Sequence, residues 1–239
     1  MSRFTLITGA SGAIGRAVAL KMAAEGKPLF LHYNKSKQDA IFLKEKCETF
    51  EVPVFLVMSD LSKKGGADKL FKQLHSPVDT LIYNCGIQHY GFFQDIGEEE
   101  LYELANLHLL NAMLLTKKLL PAMISNKQGK IVMISSIWGE RGAAMEVAYS
   151  ALKGGLNTFV KSLAKETARS GICVNALAPG VIDTPMMSGF SESDMQALKD
   201  EIPAGRFGYA EEAAEAVTFL TSGKASYING HVLDINGGW

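Results

Sequence analysis

With 239 residues, 47% of them hydrophobic, the chain can bury one sizeable core and needs no second domain. Its net charge of −1 gives no electrostatic case for nucleic acid, no apolar run approaches a membrane span, and no secretory signal precedes the first strand. Three scattered cysteines (Cys47, Cys85, Cys173) and five histidines without metal-ligand spacing predict a reduced, metal-free, cytoplasmic protein.

The first element is a strand over residues 4–7. It runs into a glycine-rich turn, Thr8, Gly9, Ala10, Ser11, Gly12, Ala13, Ile14 and Gly15, and then a helical run over 16–25. Strand, glycine turn and helix form the opening of a dinucleotide-binding unit. The glycines let the backbone approach a pyrophosphate, and the helix start offers free N–H donors.

A second strand over 28–33 ends in Tyr33, Asn34, Lys35, Ser36 and Lys37. An NAD site of this type carries an acid near that strand end, to bond the ribose hydroxyls. No acid stands there, and the lysines and serine can take a 2′-phosphate, so the segment predicts NADP(H). Further strands are expected at 53–57, 79–84, 130–135, 172–177 and 231–235, with helical patterns between them. This alternation predicts a single α/β domain over 1–239. The fold expected is a Rossmann-type doubly wound, seven-stranded, mostly parallel sheet with helices on both faces. The cofactor half spans about 1–130 and the catalytic and substrate half about 131–239. A stretch at about 186–208, with Met186 and Met187, reads either as a lid over the substrate or as an ordinary loop and short helix. We favour the lid, because loops at strand carboxyl ends line the site in such sheets.

The chemistry concentrates around Tyr149 and Lys153. Four residues is one helical turn, so both side chains share a helix face. An ammonium there would lower the phenol's pKa. Ser136, thirteen residues before the tyrosine, follows the apolar run of the fifth strand, where its hydroxyl can hold a carbonyl oxygen while Tyr149 protonates it.

Taken in order, these motifs resemble the short-chain dehydrogenase/reductase family along essentially the whole chain. The resemblance implies that Ser136, Tyr149 and Lys153 are the catalytic triad. It implies that Asp60 and Leu61 lie at the adenine, and that Asn84, Cys85 and Gly86 line the cofactor. It gives Pro179, Gly180, Ile182 and Thr184 to the nicotinamide carboxamide. Ala13 stands where the family usually has glycine, and Gly12 where NADP-binding members often carry a basic residue. His108 falls at the family's catalytic asparagine; it reads either as a link from Lys153 to solvent through water or as a core histidine.

A narrower resemblance rests on His32-Tyr33-Asn34, Leu107-His108, the stretch from Ser135 to Glu140, and the terminal Asn236 to Trp239. These look like the bacterial elongation factor P 5-aminopentanone reductases, neighbours of the 3-oxoacyl-acyl-carrier-protein reductases. The implied partner is elongation factor P or acyl carrier protein, and the implied assembly a homotetramer. An amine-bearing substrate needs a carboxylate, and Glu140 or Glu146 can supply it beside Trp138; each also reads as a solvated loop acid. A non-catalytic nucleotide sensor on the same fold is the reading from another class.

Overall fold

The computed structural model describes residues 3–184 and 191–239. The apolar runs become seven strands: β1 (Phe4–Thr8), β2 (Leu29–Tyr33), β3 (Val54–Met58), β4 (Val78–Tyr83), β5 (Gly129–Ile134), β6 (Ile172–Pro179) and β7 (Val232–Ile235). They pair in the order β3-β2-β1-β4-β5-β6-β7, and every pairing is parallel. Helices cover both faces of such a sheet, so its central strands are apolar without alternation. Every residue of β1 and β6 is buried, whereas the edge strand β3 exposes Phe55 and Met58.

The helices are α1 (Ala13–Ala24), α2 (Lys37–Glu48), α3 (Gly66–Phe71), α4 (Glu98–Ala105), α5 (Asn111–Ser125), α6 (Trp138–Arg141), α7 (Val147–Thr167), α8 (Glu192–Glu201) and α9 (Ala210–Thr221). Two apolar clusters result, one on each side of the sheet. Leu115, Leu119, Leu156, Val160 and Leu163 bring α5 and α7 onto one face. Val18, Met22, Leu43, Val217 and Leu220 bring α1, α2 and α9 onto the other.

One expectation needs correction. A π-turn, Asn106–Leu110, joins α4 to α5, and Glu98–Ser125 becomes a 28-residue helix long and apolar enough to cross a membrane by length and composition alone. Leu104, Leu107, Leu115, Leu119 and Met123 are buried along it, so one side of the helix serves the core.

Strand order reverses between β1 and β4. In an open α/β sheet, the crevice beyond the carboxyl ends of strands at such a switch is where ligands bind. The β1, β4 and β5 ends deliver the glycine turn, the Asn84–Gly86 segment and Ser136 to that edge.

Candidate active site

The turn after β1 is tied to the segment after β4. Thr8 Oγ1 accepts the N–H groups of Asn84 (3.0 Å) and Cys85 (3.3 Å), and Asn84 Nδ2 donates to the Gly9 carbonyl at 3.0 Å. Gly9 has φ +61°, a left-handed conformation that favours glycine. Gly12 N–H closes the turn onto Gly9 O at 3.1 Å. α1 begins at Ala13 with no side-chain cap and no acid in its first turn. Its free N–H donors therefore remain available to an anion, and this fits a pyrophosphate group. Ser11, Ile14 and Gly15 complete the turn and the first helical residues.

At the β2 end, Asn34, Lys35 and Ser36 are exposed and Tyr33 is half-buried. Asp60 accepts the Ser62 N–H (2.9 Å) and hydroxyl (2.7 Å). Partial burial pushes its carboxyl up, but the two hydrogen bonds from Ser62 and the charges of Lys63 and Lys35 outweigh this and hold it below the usual carboxylate range. Leu61 beside it is buried. The loop itself carries no acid, but one stands just beyond it. Asp39, in the first turn of α2, lies 3.8 Å from the Arg16 guanidinium. Both were missed because only the packing of α1 beside α2 brings them together.

Ser136 follows β5 and is 8% exposed; its Oγ accepts the Trp138 N–H at 3.2 Å. Tyr149 and Lys153 lie one turn apart on α7. Lys153 is buried, donates from Nζ to the Ile134 carbonyl at 2.7 Å, and stands 5.6 Å from the centre of the Tyr149 ring. The π-turn sets His108 edge-on to Tyr149, ring centres 5.1 Å apart. His108 Nε2 donates to the Ile87 carbonyl at 2.9 Å, which leaves buried Nδ1 without a partner. Gly86 closes this cluster: a Cβ there would stand 3.0 Å from His108 Cε1 and 3.9 Å from Lys153 Nζ. The strands and helices thus bring Ser136, Tyr149, Lys153 and His108 into one buried cluster.

The electrostatics correct the expectation that Lys153 depresses Tyr149. Burial pushes the phenol up to about 12, the Ser136 hydrogen bond pulls it back only in part, and Glu146 adds to the rise. Burial also pushes Lys153 down to about 8. The reason is geometric: the ammonium is held at the Ile134 carbonyl and over the ring, and desolvation dominates both groups. Burial and the Lys153 charge together press His108 down to about 3, against the Ile87 bond, so the ring is neutral at physiological pH.

Among the expected substrate residues the structure discriminates. Glu146, at the start of α7, is 7% exposed and accepts a hydrogen bond from Gln88 Nε2 at 3.1 Å. Burial pushes its carboxyl up, while the Gln88 bond and His89 act the other way. Glu140 is exposed on α6, so it does not share the buried surroundings of Tyr149. Trp138 packs edge-on against Trp239, ring centres 5.2 Å apart. Pro179 ends β6, and Gly180 sits against Asn236, where a Cβ would be 3.0 Å from the Asn236 Cα. Ile182 pairs with Gly208, which ties down the base of the segment leading to Thr184. Met186 and Met187 lie outside the described residues; α8 occupies part of the remaining stretch. Gln88 was missed, since it stands 58 positions from Glu146 and no local spacing links them.

A family model described as enoyl-(acyl carrier protein) reductase matches residues 9–239. A 3-oxoacyl-(acyl-carrier-protein) reductase, FabG, of Aquifex aeolicus is 37% identical over 99% of this chain and 96% of its own. The chain belongs to the short-chain dehydrogenase/reductase family. Another relative, the uncharacterized oxidoreductase YmfI of Bacillus subtilis, is 47% identical over 100% of this chain and 99% of its own. Acetoin dehydrogenase YohF of Salmonella typhimurium superposes with a TM-score of 0.89 at 28% identity, covering 100% of this chain and 97% of that one. A putative gluconate dehydrogenase of Agrobacterium tumefaciens reaches 0.93 at 26% identity, covering 99% and 95%.

As a short-chain dehydrogenase/reductase, the protein is a nicotinamide-dependent oxidoreductase acting on an alcohol–carbonyl pair. Bound cofactor supplies the hydride. The residues described here are suited to holding the carbonyl and its proton: Tyr149 is a protonated phenol at neutral pH, which suits an acid that gives up a proton in reduction.

Proposed function

We propose that the protein is an NADPH-dependent carbonyl reductase acting on the 5-aminopentanone group carried by a lysine of elongation factor P, which it converts to the 5-aminopentanol. One observation carries the substrate: Glu146, a largely buried carboxylate, stands next to the acid Tyr149 and is felt by it. A cation entering a desolvated pocket needs such a partner, because unpaired buried charge is costly. A neutral acyl chain has no use for it.

In this reading Ser136 polarises the ketone oxygen and Tyr149 protonates it. Lys153 then faces the phenolate that forms, and His108 offers Nδ1 as an acceptor on the way to solvent. The nicotinamide ribose falls to Lys153 and the pyrophosphate to the glycine turn.

The alternative is reduction of a 3-oxoacyl group on acyl carrier protein, favoured by what the Aquifex aeolicus relative is named for. Mass spectrometry of elongation factor P, from cells with and without the gene, separates the two. The proposal expects the ketone form, lighter by two hydrogens, to persist without the enzyme. An unchanged factor, together with activity on acetoacetyl-carrier protein, would support the alternative. In vitro, Glu146→Gln should slow reduction of the modified factor by about 10-fold or more while sparing a neutral model ketone. Glu140→Gln, at an exposed position, should do little to either. Equal loss on both substrates from Glu146→Gln would refute the amine role.

The NADP(H) preference rests on Lys35, Ser36 and Lys37, with Arg16 offsetting Asp39. Replacing Lys35 and Lys37 with alanine should reduce the NADPH-over-NADH affinity ratio by about 10-fold. Equal affinities in the unmodified protein would overturn the assignment.

We also place the protein in the cytoplasm as a homotetramer. Tyr102, Leu110, Met113 and Leu114 are exposed on the 98–125 helix and supply an apolar face for a copy. Light scattering showing a monomer at working concentration would count against it.

A further inference from the structure

His32 is buried in β2, 2% exposed, and belongs to none of the groups assigned to the reaction. Both ring nitrogens are engaged. Nε2 stands 3.0 Å from the Ser59 carbonyl, which can only accept, so the proton is on Nε2. Nδ1 is then a lone pair, and it accepts the Gly9 N–H at 3.1 Å. The Cys85 thiol approaches the same lone pair at 3.6 Å. The His32 backbone carbonyl adds a second tie to the turn, accepting the Ala10 N–H at 2.9 Å.

One ring therefore joins three strand ends: the glycine turn after β1, the end of β2, and Ser59, which precedes Asp60 after β3. Gly9 is the residue at φ +61° whose carbonyl accepts from Asn84 and Gly12. Its peptide has little freedom once the N–H is held as well. A side chain without an acceptor at Nδ1 would leave a part-buried N–H unsatisfied at the residue on which the turn pivots.

We infer that His32 is a positioning residue for the phosphate-binding turn: its neutral ring, protonated on Nε2, sets the Gly9 backbone and so governs cofactor affinity without touching the reacting atoms. The titratable groups facing it are Cys85 and Asp60. Burial holds the His32 ring down to about 4 despite the Ser59 bond and the Asp60 charge. Burial likewise pushes the Cys85 thiol up to about 12, so neither group charges near neutral pH.

The inference rests on reading the turn as the cofactor site, and the test separates the two. An asparagine at position 32 presents an oxygen near the place of Nδ1; a glutamine reaches instead toward that of Nε2; a leucine offers neither. NADPH dissociation constants from fluorescence titration should stay within about threefold for His32→Asn. They should rise about tenfold or more for His32→Gln and His32→Leu, with kcat at saturating NADPH unchanged. Equal weakening by Asn and Leu overturns the inference, and so does unweakened binding by Leu. An unmodified protein that binds no NADPH overturns the turn assignment and the inference with it.

If the variants do not fold, ¹⁵N-histidine NMR of the unmodified protein decides. The expected spectrum has His32 protonated on Nε2 alone at neutral pH, with an Nδ1 resonance that moves when NADPH is added. A proton on Nδ1, or an Nδ1 resonance that NADPH leaves unmoved, overturns the inference.

Discussion

Tyr149→Phe should cut turnover by about 10²-fold or more while leaving NADPH affinity close to that of the unmodified protein. The change removes one oxygen and keeps the ring, so the edge-on contact with His108 survives. Ser136 stays tied to the Trp138 N–H. What disappears is the proton donor. The phenol is pushed up to about 12 and Lys153 down to about 8, so below about pH 8 the resting site holds a protonated tyrosine beside a charged lysine. The ammonium is then placed to favour the phenolate left after proton transfer. As pH rises past about 8 that charge is lost, and the rate of reduction should fall with it. Steady-state kinetics with separate cofactor titration checks both parts. Near-normal turnover in the phenylalanine variant would remove Tyr149 from the proposed mechanism.

Gly15→Ala should weaken NADPH binding by about 100-fold, close to 3 kcal/mol. A Cβ at this position would stand 2.3 Å from the Gly9 carbonyl oxygen, 2.8 Å from Asn84 Nδ2 and 2.9 Å from the Ala10 Cα. Two of these three neighbours are backbone, so no rotamer change relieves the clash and the turn itself must move. The Asn84–Gly9 bond that joins β1 to β4 would be disturbed in the same step. Gly12→Ala provides the comparison, since its Cβ would meet only the Gly9 oxygen, at 3.4 Å. Calorimetric titration of the two variants should separate them by more than tenfold. Equal affinities would mean that the turn tolerates displacement and does not closely cradle the pyrophosphate.

Much of this architecture is legible from residue order. The strand runs are uninterrupted because both faces of a parallel sheet are covered, and each run ends in a turn of distinctive composition. Strand identity and sequence followed from this, and the family from the resemblance of the motifs that the strand ends and α7 carry. Boundaries moved by a residue or two: Asn84 and Ser135 lie beyond the strand ends, while β6 continues to Pro179. The pairing of Tyr149 with Lys153 was equally readable, because four residues make one helical turn.

What tertiary structure alone decided are quantities that depend on burial and on partners far apart in the chain. Spacing implied that Lys153 lowers the Tyr149 pKa; burial reverses the sign, because desolvation outweighs an ammonium held at the Ile134 carbonyl. Glu140 and Glu146 are equivalent as letters, yet only Glu146 is enclosed, next to Gln88. His32 reads as one more residue of an apolar strand until its ring is seen between Gly9 and Ser59. Local spacing carries the helix and strand geometry because that geometry repeats along the backbone. Charge states and hydrogen-bond partners do not repeat; they follow from which groups the fold removes from water and which it sets against one another.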